Sequence, residues 1–384
     1  MNWFLAVAVI TSLIIAFYLG FRVINLFNLY KQGYFNTISK KIVWLMIVVG
    51  SLSFVLSRVF FSVSDYWLPL ISSLVFSFIL CLFYSIVIID VLRLFLYLVF
   101  RRKGNYRLIL QIIYITMTMV FFIVGLYMAS APRIINYQIT IDKPARVKQL
   151  KIVQLSDIHL NQTTSRHFIQ TMVNDVNSLK PDYIFITGDT LDQRLKPYLD
   201  KNLAELFAQL KSTYGTFIIF GNHEHYGIER EKNNSNEDVI KAFTAGNMKV
   251  LQDSVFYDNA TGITIIGRDD YVVKNFGKTR ADLPTLLSLV DENDPVILLD
   301  HQPQNLTEPA DLGIDVMFSG HTHAGQIFPM TLVVNAMYKN AWGLEQPVAN
   351  NPFMSIVSSG YGLWGPPIRL MTRAEIVVTE LTFK

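Results

Sequence analysis

The sequence predicts an α/β domain over residues 149–384, preceded by a transmembrane region of four helices in residues 1–132. Three observations lead there. Four long apolar runs fill the first third of the 384 residues. Beyond residue 149, short β-rich runs alternate with helical stretches, the pattern of strands and helices packed in layers. Charge divides at the same place. Residues 1–132 hold ten of the 33 Lys and Arg but only two of the 30 Asp and Glu, Asp65 and Asp90. The remainder is therefore acidic, and the overall charge of +3 describes neither part. Such a chain is neither fully soluble, nor purely membranous, nor disordered. An acidic second part without a basic face argues against nucleic acid as a partner. At about 250 residues it is long enough to bury one large core.

The apolar runs lie near Trp3–Leu19, Ile42–Phe61, Trp67–Ile89 and Leu108–Ala129. Each approaches the roughly 20 residues that cross the hydrocarbon core of a bilayer. The third continues through Asp90 and Arg93 to Phe100. These two are i,i+3 neighbours on a helix and are expected to pair where the helix leaves the bilayer. Lys31, Lys40 and Lys41 follow the first run, and Arg101, Arg102, Lys103 and Arg107 follow the third. Only Arg58 marks the loop between the second and third. The positive-inside rule then puts both basic loops in the cytoplasm and residues 133–384 outside it. The expectation is a multi-pass plasma-membrane protein in contact with membrane lipids. The first run has no basic residue ahead of it and no clear small-residue cleavage site, so it reads as a span rather than a signal peptide. The single cysteine, Cys81, lies in the third run, and no intramolecular disulfide can form.

Residues 133–148 read as an extended linker. The β-rich runs that follow are Leu150–Leu155, Tyr183–Thr187, Thr216–Phe220, Ile263–Ile266, Val296–Leu299, Val316–Phe318, Met354–Val357 and Ile376–Leu381. Helical patterns occupy Arg166–Leu179 and Leu199–Leu210. A third helix starts at Ser235, where Asp238 three residues on resembles a capping box. Glu229–Asp238 is polar and reads as a surface loop.

The strand ends carry the chemistry. The first ends in Ser156-Asp157-Ile158-His159, the second in Gly188-Asp189-Thr190-Leu191-Asp192, and the third in Gly221-Asn222-His223-Glu224. Later ends carry Asp300-His301 and Gly320-His321-Thr322-His323. In open α/β sheets, ligands bind outside the carboxyl ends of strands, and glycine lets the backbone turn tightly beside them. Five of the seven histidines gather there. Imidazole, carboxylate and amide oxygen suit Mn, Fe or Zn. The set is large enough for two divalent metal ions sharing a carboxylate. Two metals roughly 3.5–4 Å apart clamp the attacking and leaving oxygens of an in-line displacement and lower the pKa of bound water. That arrangement suits phosphoester hydrolysis.

Asp-x-His, Gly-Asp-x-x-Asp, Gly-Asn-His-Glu, a lone His after a strand and Gly-His-x-His stand here in the order of the calcineurin-like metallophosphoesterases, which residues 149–382 resemble. Gly320-His321-Thr322-His323-Ala324-Gly325-Gln326-Ile327 and Pro367-Ile368-Arg369 resemble the membrane-anchored bacterial branch typified by YkuE. The resemblance implies a four-layer α/β/β/α sandwich and attack by a metal-bridging hydroxide. It implies Asp157, His159 and His323 on one metal, Asn222, His301 and His321 on the other, and Asp189 bridging them. His223 would contact the substrate phosphate or protonate the leaving oxygen. Asp192 and Glu224 would stand behind the ligands. His225 stands where Tyr or Asp is usual and could alter substrate choice, and Arg373-Ala374-Glu375 replaces a more usual Pro-Glu. Arg369 is expected either as a phosphate clamp or in a surface ion pair.

The expected activity is hydrolysis of a phosphoester or pyrophosphate bond, with a lipid-linked substrate suggested by the anchor. Trp342, Leu344, Tyr361, Leu363 and Trp364 could form an apolar rim dipping into the membrane interface, or pack in the core. A non-catalytic binding or scaffold protein on the same fold would be expected to have lost ligands, and none is lost. A transporter would need polar groups within the spans, where they are scarce.

Overall fold

A computed structural model describes residues 2–28, 37–60, 66–100, 107–230 and 234–384. Lys31, Arg101, Arg102 and Lys103, which bear on orientation, lie outside the described residues, as do residues 231–233 of the expected loop at Glu229–Asp238. The chain divides into two compact units.

The first unit holds four helices: α1 (Asn2–Asn28), α2 (Thr37–Phe60), α3 (Trp67–Phe100) and α4 (Arg107–Ser130). Each is long and apolar enough to cross a membrane. Ala16, Leu19, Ile47, Ile79, Ile86 and Tyr114 pack between them, while Ile14, Phe17, Leu45, Met46 and Leu98 face outward. Apolar residues on the outer faces as well as the inner are the pattern of helices solvated by lipid. The expected Asp90–Arg93 pair is present at 3.9 Å, but Asp90 has closer partners. It ion-pairs chiefly with Arg22 of α1, and accepts from the Tyr18 hydroxyl at 2.7 Å and the Tyr114 hydroxyl at 3.1 Å. The apolar stretch of α3 continues past Asp90 to Val99, 33 residues against the roughly 20 that cross a bilayer. A carboxylate on an apolar helix is tolerated because neighbouring helices supply its partners.

The second unit opens with a further correction. The expected linker contains β1 (Arg133–Ile141), paired parallel with the last strand of the chain, β12 (Glu375–Phe383). Ile135, Tyr137, Ile139 and Ile141 face inward at the period of two that a half-buried strand requires. Only Ala131 and Pro132 separate α4 from β1. There follow β2 (Gln149–Leu155), α5 (Arg166–Ser178), β3 (Tyr183–Thr187), α6 (Lys196–Asp200), α7 (Ala204–Phe207) and β4 (Gly215–Ile219). The single helix expected over Leu199–Leu210 is thus two, broken where Asn202 turns to a positive φ of 47°. Next come α8 (Asn222–Arg230), α9 (Asn236–Ala245) and β5 (Lys249–Val250). Ser235 and Asp238 form the capping box at the start of α9.

The remainder is β6 (Ser254–Asp258), β7 (Ile263–Gly267), α10 (Leu283–Leu287), β8 (Val296–Leu299), α11 (Thr307–Asp311), β9 (Val316–Ser319), α12 (Met330–Met337), β10 (Gly343–Glu345) and β11 (Met354–Val357). Two six-stranded sheets result, ordered β1-β12-β2-β3-β4-β5 and β10-β11-β9-β8-β7-β6. Ile152, Phe185, Phe217, Ile265, Ile297, Phe318 and Val377 fill the space between them. Val153, Ile184 and Ile218, on the other side of the first sheet, pack against Ile169, Val173, Phe207 and Phe243 of the helices. Leu298 and Met317, on the far side of the second, pack against Leu283, Leu286 and Ala310. The order helix, sheet, sheet, helix is the expected four-layer α/β/β/α sandwich. The strands at its centre, β2, β3, β4 and β5 in one sheet and β7, β8, β9 and β11 in the other, run parallel within each sheet, so their carboxyl ends open on common edges.

Candidate metal centre

Five parallel strands deliver the polar cluster. Asp157 and His159 follow β2, Asp189 follows β3, Asn222 follows β4, His301 follows β8, and His321 and His323 follow β9. All are buried except His321, which is partly so. Asp157, His159, Asp189, His321 and His323 each adopt a φ between 50° and 71°. Left-handed backbone is uncommon outside glycine and gathers where function demands it. Here it turns the chain at the ends of β2, β3 and β9.

Three groups of ligand-type atoms form among the described residues, one of them His159, Asp192 and His223. The atoms of Asp157, His159 and His323 lie within 4.8 Å of one another, and so do those of Asp189, His301 and His321. The Asn222 amide oxygen lies 2.8 Å from His321 Nδ1. Asp189 Oδ2 stands between the groups, 3.1 Å from His301 Nε2 and 3.9 Å from His159 Nε2. Its other oxygen accepts the His223 backbone N–H at 2.8 Å. The structure thus brings all seven expected ligands together, in the two sets expected, with Asp189 between them.

The donor set fits two divalent ions. His301 Nδ1 faces the Thr187 carbonyl at 2.8 Å, which fixes the proton on that nitrogen and turns Nε2 toward Asp189. Nε2 atoms of His159 and His323 face each other at 2.9 Å, with Asp157 Oδ1 3.4 Å from His323. Three ligand-type side chains converging in a buried site fit a divalent cation between them. The charges within the cluster are divided: burial raises the pKa of Asp157, and against burial Asp189 raises that of His301 well above the ordinary histidine value. Burial opposes ionisation of Asp189, but His301, His223 and His159 outweigh it and hold the carboxyl well below the usual range. Burial, and then His301, push His321 down to about 3, which keeps it a neutral ligand.

His223 lies beside both groups, its ring centroid 4.6 Å from that of His159. Its Nδ1 is 3.3 Å from Asp192 Oδ1. Burial lowers its pKa, but Asp189 and Asp192 together raise it above the ordinary histidine value, so it can hold a proton. Glu224 accepts the backbone N–H groups of Asp189, Leu191 and Gly221 at 3.0, 2.8 and 2.8 Å, lacing two ligand loops together. Burial and the Asp189 charge push its carboxyl up to about 7.

Of the remaining candidates, one is corrected. Arg369 is neither a phosphate clamp nor a surface ion-pair partner. It is fully buried, and its guanidinium donates to the carbonyls of Ser359, Gly360 and Gly362 at 2.7, 3.1 and 2.8 Å. His225 is buried on α8 with Nε2 2.6 Å from Asp269 Oδ1. Of the two alternatives for Tyr361, the core one holds: it is buried against Phe168. Trp342 is part-exposed, but its indole N–H donates to Glu375 at 3.0 Å.

Some residues escaped notice. Asp269 and Asp270 end β7, where no histidine or asparagine marked them. Asp270 accepts from Gln302 at 2.9 Å, beside His301. Tyr226 and Tyr338 flank the site, with ring centroids 6.0 Å from His223 and 6.1 Å from His321. Only their positions beside the motifs in sequence could have suggested them.

Comparison with known proteins agrees with this geometry. The family model for calcineurin-like phosphoesterases matches residues 150–325. An uncharacterised metallophosphoesterase of Campylobacter jejuni is 31% identical over 372 residues, 96% of this chain and 95% of its own. A transmembrane protein with a metallophosphoesterase domain from Danio rerio is 32% identical over 65% of this chain and 57% of its own. The uncharacterised metallophosphoesterase YkuE of Bacillus subtilis is 28% identical over 60% of this chain and 78% of its own. The Campylobacter match runs through the four apolar helices as well as the sandwich, so the protein belongs, as a membrane protein, to the calcineurin-like phosphoesterase family.

Proposed function

We propose that the protein is a two-metal hydrolase of a phosphoester or pyrophosphate bond, acting on a lipid-linked substrate at the extracytoplasmic face of the plasma membrane. One observation carries the reaction class: Asp189 lies between two complete sets of ligand atoms, with His223 beside both. Asp157, His159 and His323 would hold one divalent ion, Asn222, His301 and His321 the other. When bound, two such ions clamp the attacking and leaving oxygens of an in-line displacement and activate water. The chain's own residues do the rest. Asp192 faces His223 Nδ1 and orients the ring, leaving Nε2 to meet the leaving oxygen and give up its proton. Glu224 holds the loops of Asp189 and Asn222 in register through three backbone N–H groups. Membrane residence of the substrate is supported by the four apolar helices and by the two-residue connection to β1. The outward orientation is supported by the placement of Lys and Arg in the first 132 residues.

The test is a substrate panel on full-length protein in detergent with Mn²⁺ added, covering aryl monoesters, diesters, pyrophosphates and lipid phosphates. Hydrolysis of at least one class is expected, and His223→Ala should retain its metal while turnover of a poor leaving group falls about 10²–10⁴-fold. No hydrolysis by a metal-loaded protein would refute the activity, and near-normal turnover by the variant would refute the role of His223. A reporter active only outside the cytoplasm, fused after Lys384, should be active, and silence would reverse the orientation.

A further inference from the structure

Helix α12 is anomalous within its domain. It reads Met330-Thr331-Leu332-Val333-Val334-Asn335-Ala336-Met337, and none of its residues is buried. Leu332 is 59% and Met337 70% exposed. From Phe328 to Tyr338 there is no charged side chain. A helix apolar on nearly every side belongs in a core or in lipid, not in water. Three further exposed residues join it. Phe328 donates its backbone N–H to Leu370, the neighbour of Met371, which is 81% exposed. Trp364, 48% exposed, exchanges two hydrogen bonds of 2.9 Å with Gln326.

Both ends of this surface are fastened to the metal centre. Its N-terminal side grows from His323 through Gly325, whose missing side chain lets the backbone of Met330 and Thr331 pack against the turn. At its C-terminal end Tyr338 places its ring 6.1 Å from His321.

We propose that α12, with Phe328, Trp364 and Met371, is a lipid-docking surface that seats the mouth of the metal centre in the membrane interface. The occupant is the bilayer, for reasons of chain geometry and composition. Two residues, extended, reach about 7 Å, so the end of α4 and the start of β1 cannot part. A bilayer crossed by α4 is therefore within reach at all times, whereas a second copy is not. Eight helical residues span about 12 Å, too little to cross a bilayer and suited to lying in its interface. Aromatic residues at the edge and the exposed Lys339 just beyond the helix match the headgroup region. A phosphate on a lipid headgroup would then meet the metals without leaving the membrane. This last point alone rests on the proposed phosphoesterase activity.

The test uses the full chain in vesicles of phosphatidylcholine and phosphatidylglycerol. In a Cys81→Ser background, Leu332→Cys, Met337→Cys and, as control, the exposed Leu289→Cys carry a nitroxide. Collisions with lipid-soluble oxygen should dominate at 332 and 337, and collisions with a water-soluble nickel chelate at 289. Equal accessibility at the three positions would overturn docking, and dipolar broadening between labels at 332 would assign the face to a second copy. In parallel, Leu332→Asp/Val333→Asp should lower hydrolysis of a lipid phosphomonoester in vesicles about tenfold or more, with hydrolysis of a soluble aryl phosphate unchanged. An equal loss on both substrates would overturn the delivery role. If the unsubstituted protein hydrolyses neither, the phosphoesterase reading fails and the nitroxide result still decides docking.

Discussion

Gly320 and Gly221 are as necessary to the metal centre as the ligands they precede. A Cβ on Gly320 would collide with Ser156 Oγ and Asp157 Oδ2, and one on Gly221 with Asp189 Oδ1. Gly320→Ala should therefore displace the Asp157 carboxylate and cost on the order of 10²-fold in turnover, with metal content reduced and circular dichroism unchanged. Normal metal content would show that the loop relaxes freely. His225 makes a second prediction. Burial lowers its pKa, but the hydrogen bond with Asp269, the Asp269 charge and Asp270 raise it above the ordinary value, and His225 in turn helps lower Asp269. A raised imidazole pKa contributes stability that is complete below the unfolded value and lost as pH rises through the folded one. Relative to His225→Gln, the native protein should gain about 2 kcal/mol near pH 6, and the gain should shrink above the raised pKa. Unfolding midpoints measured from pH 6 to 9 check this, and a pH-independent difference would contradict it. The ligand types were legible because His, Asp and Asn at strand ends are uncommon without a chemical reason. The work of Arg369, Tyr361 and His225 was not, because burial and partner depend on chain segments distant in sequence.

At the scale of elements, all eight expected strands match observed ones within two residues at each end, among them Tyr183–Thr187 and Met354–Val357 without any difference. Their continuous apolar runs reflect burial on both faces. The short strands β5, β6 and β10 lack such runs and went unnoticed. β1 is the instructive miss. Its alternation of Ile135, Tyr137, Ile139 and Ile141 with Asn136, Gln138 and Thr140 is a strand pattern, but its position between a span and a domain suggested a tether. The difference is testable. A chain beginning at Asp142 lacks β1 and bares the edge of β12, a template for aggregation, whereas one beginning at Met128 keeps the sheet whole. The longer form is expected to be monomeric and folded, the shorter to aggregate, by size-exclusion chromatography. A well-behaved monomer starting at Asp142 would show that β1 is dispensable.

In the whole molecule, composition already separated two parts, because lipid-facing and water-facing surfaces require different residues. The division at about residue 128 agrees with the break in charge. What composition did not disclose is the ion pair between Arg22 and Asp90, 68 residues apart, since nothing local in either helix names its partner. The central claim concerns the other part: that Asp189 joins two metal sites into one centre. Elemental analysis of full-length protein, with and without Asp189→Ala, tests it most directly. Two equivalents of divalent first-row metal per chain are expected in the native protein, with most of both lost in the variant. A single equivalent in the native protein, or full content in Asp189→Ala, would contradict the account.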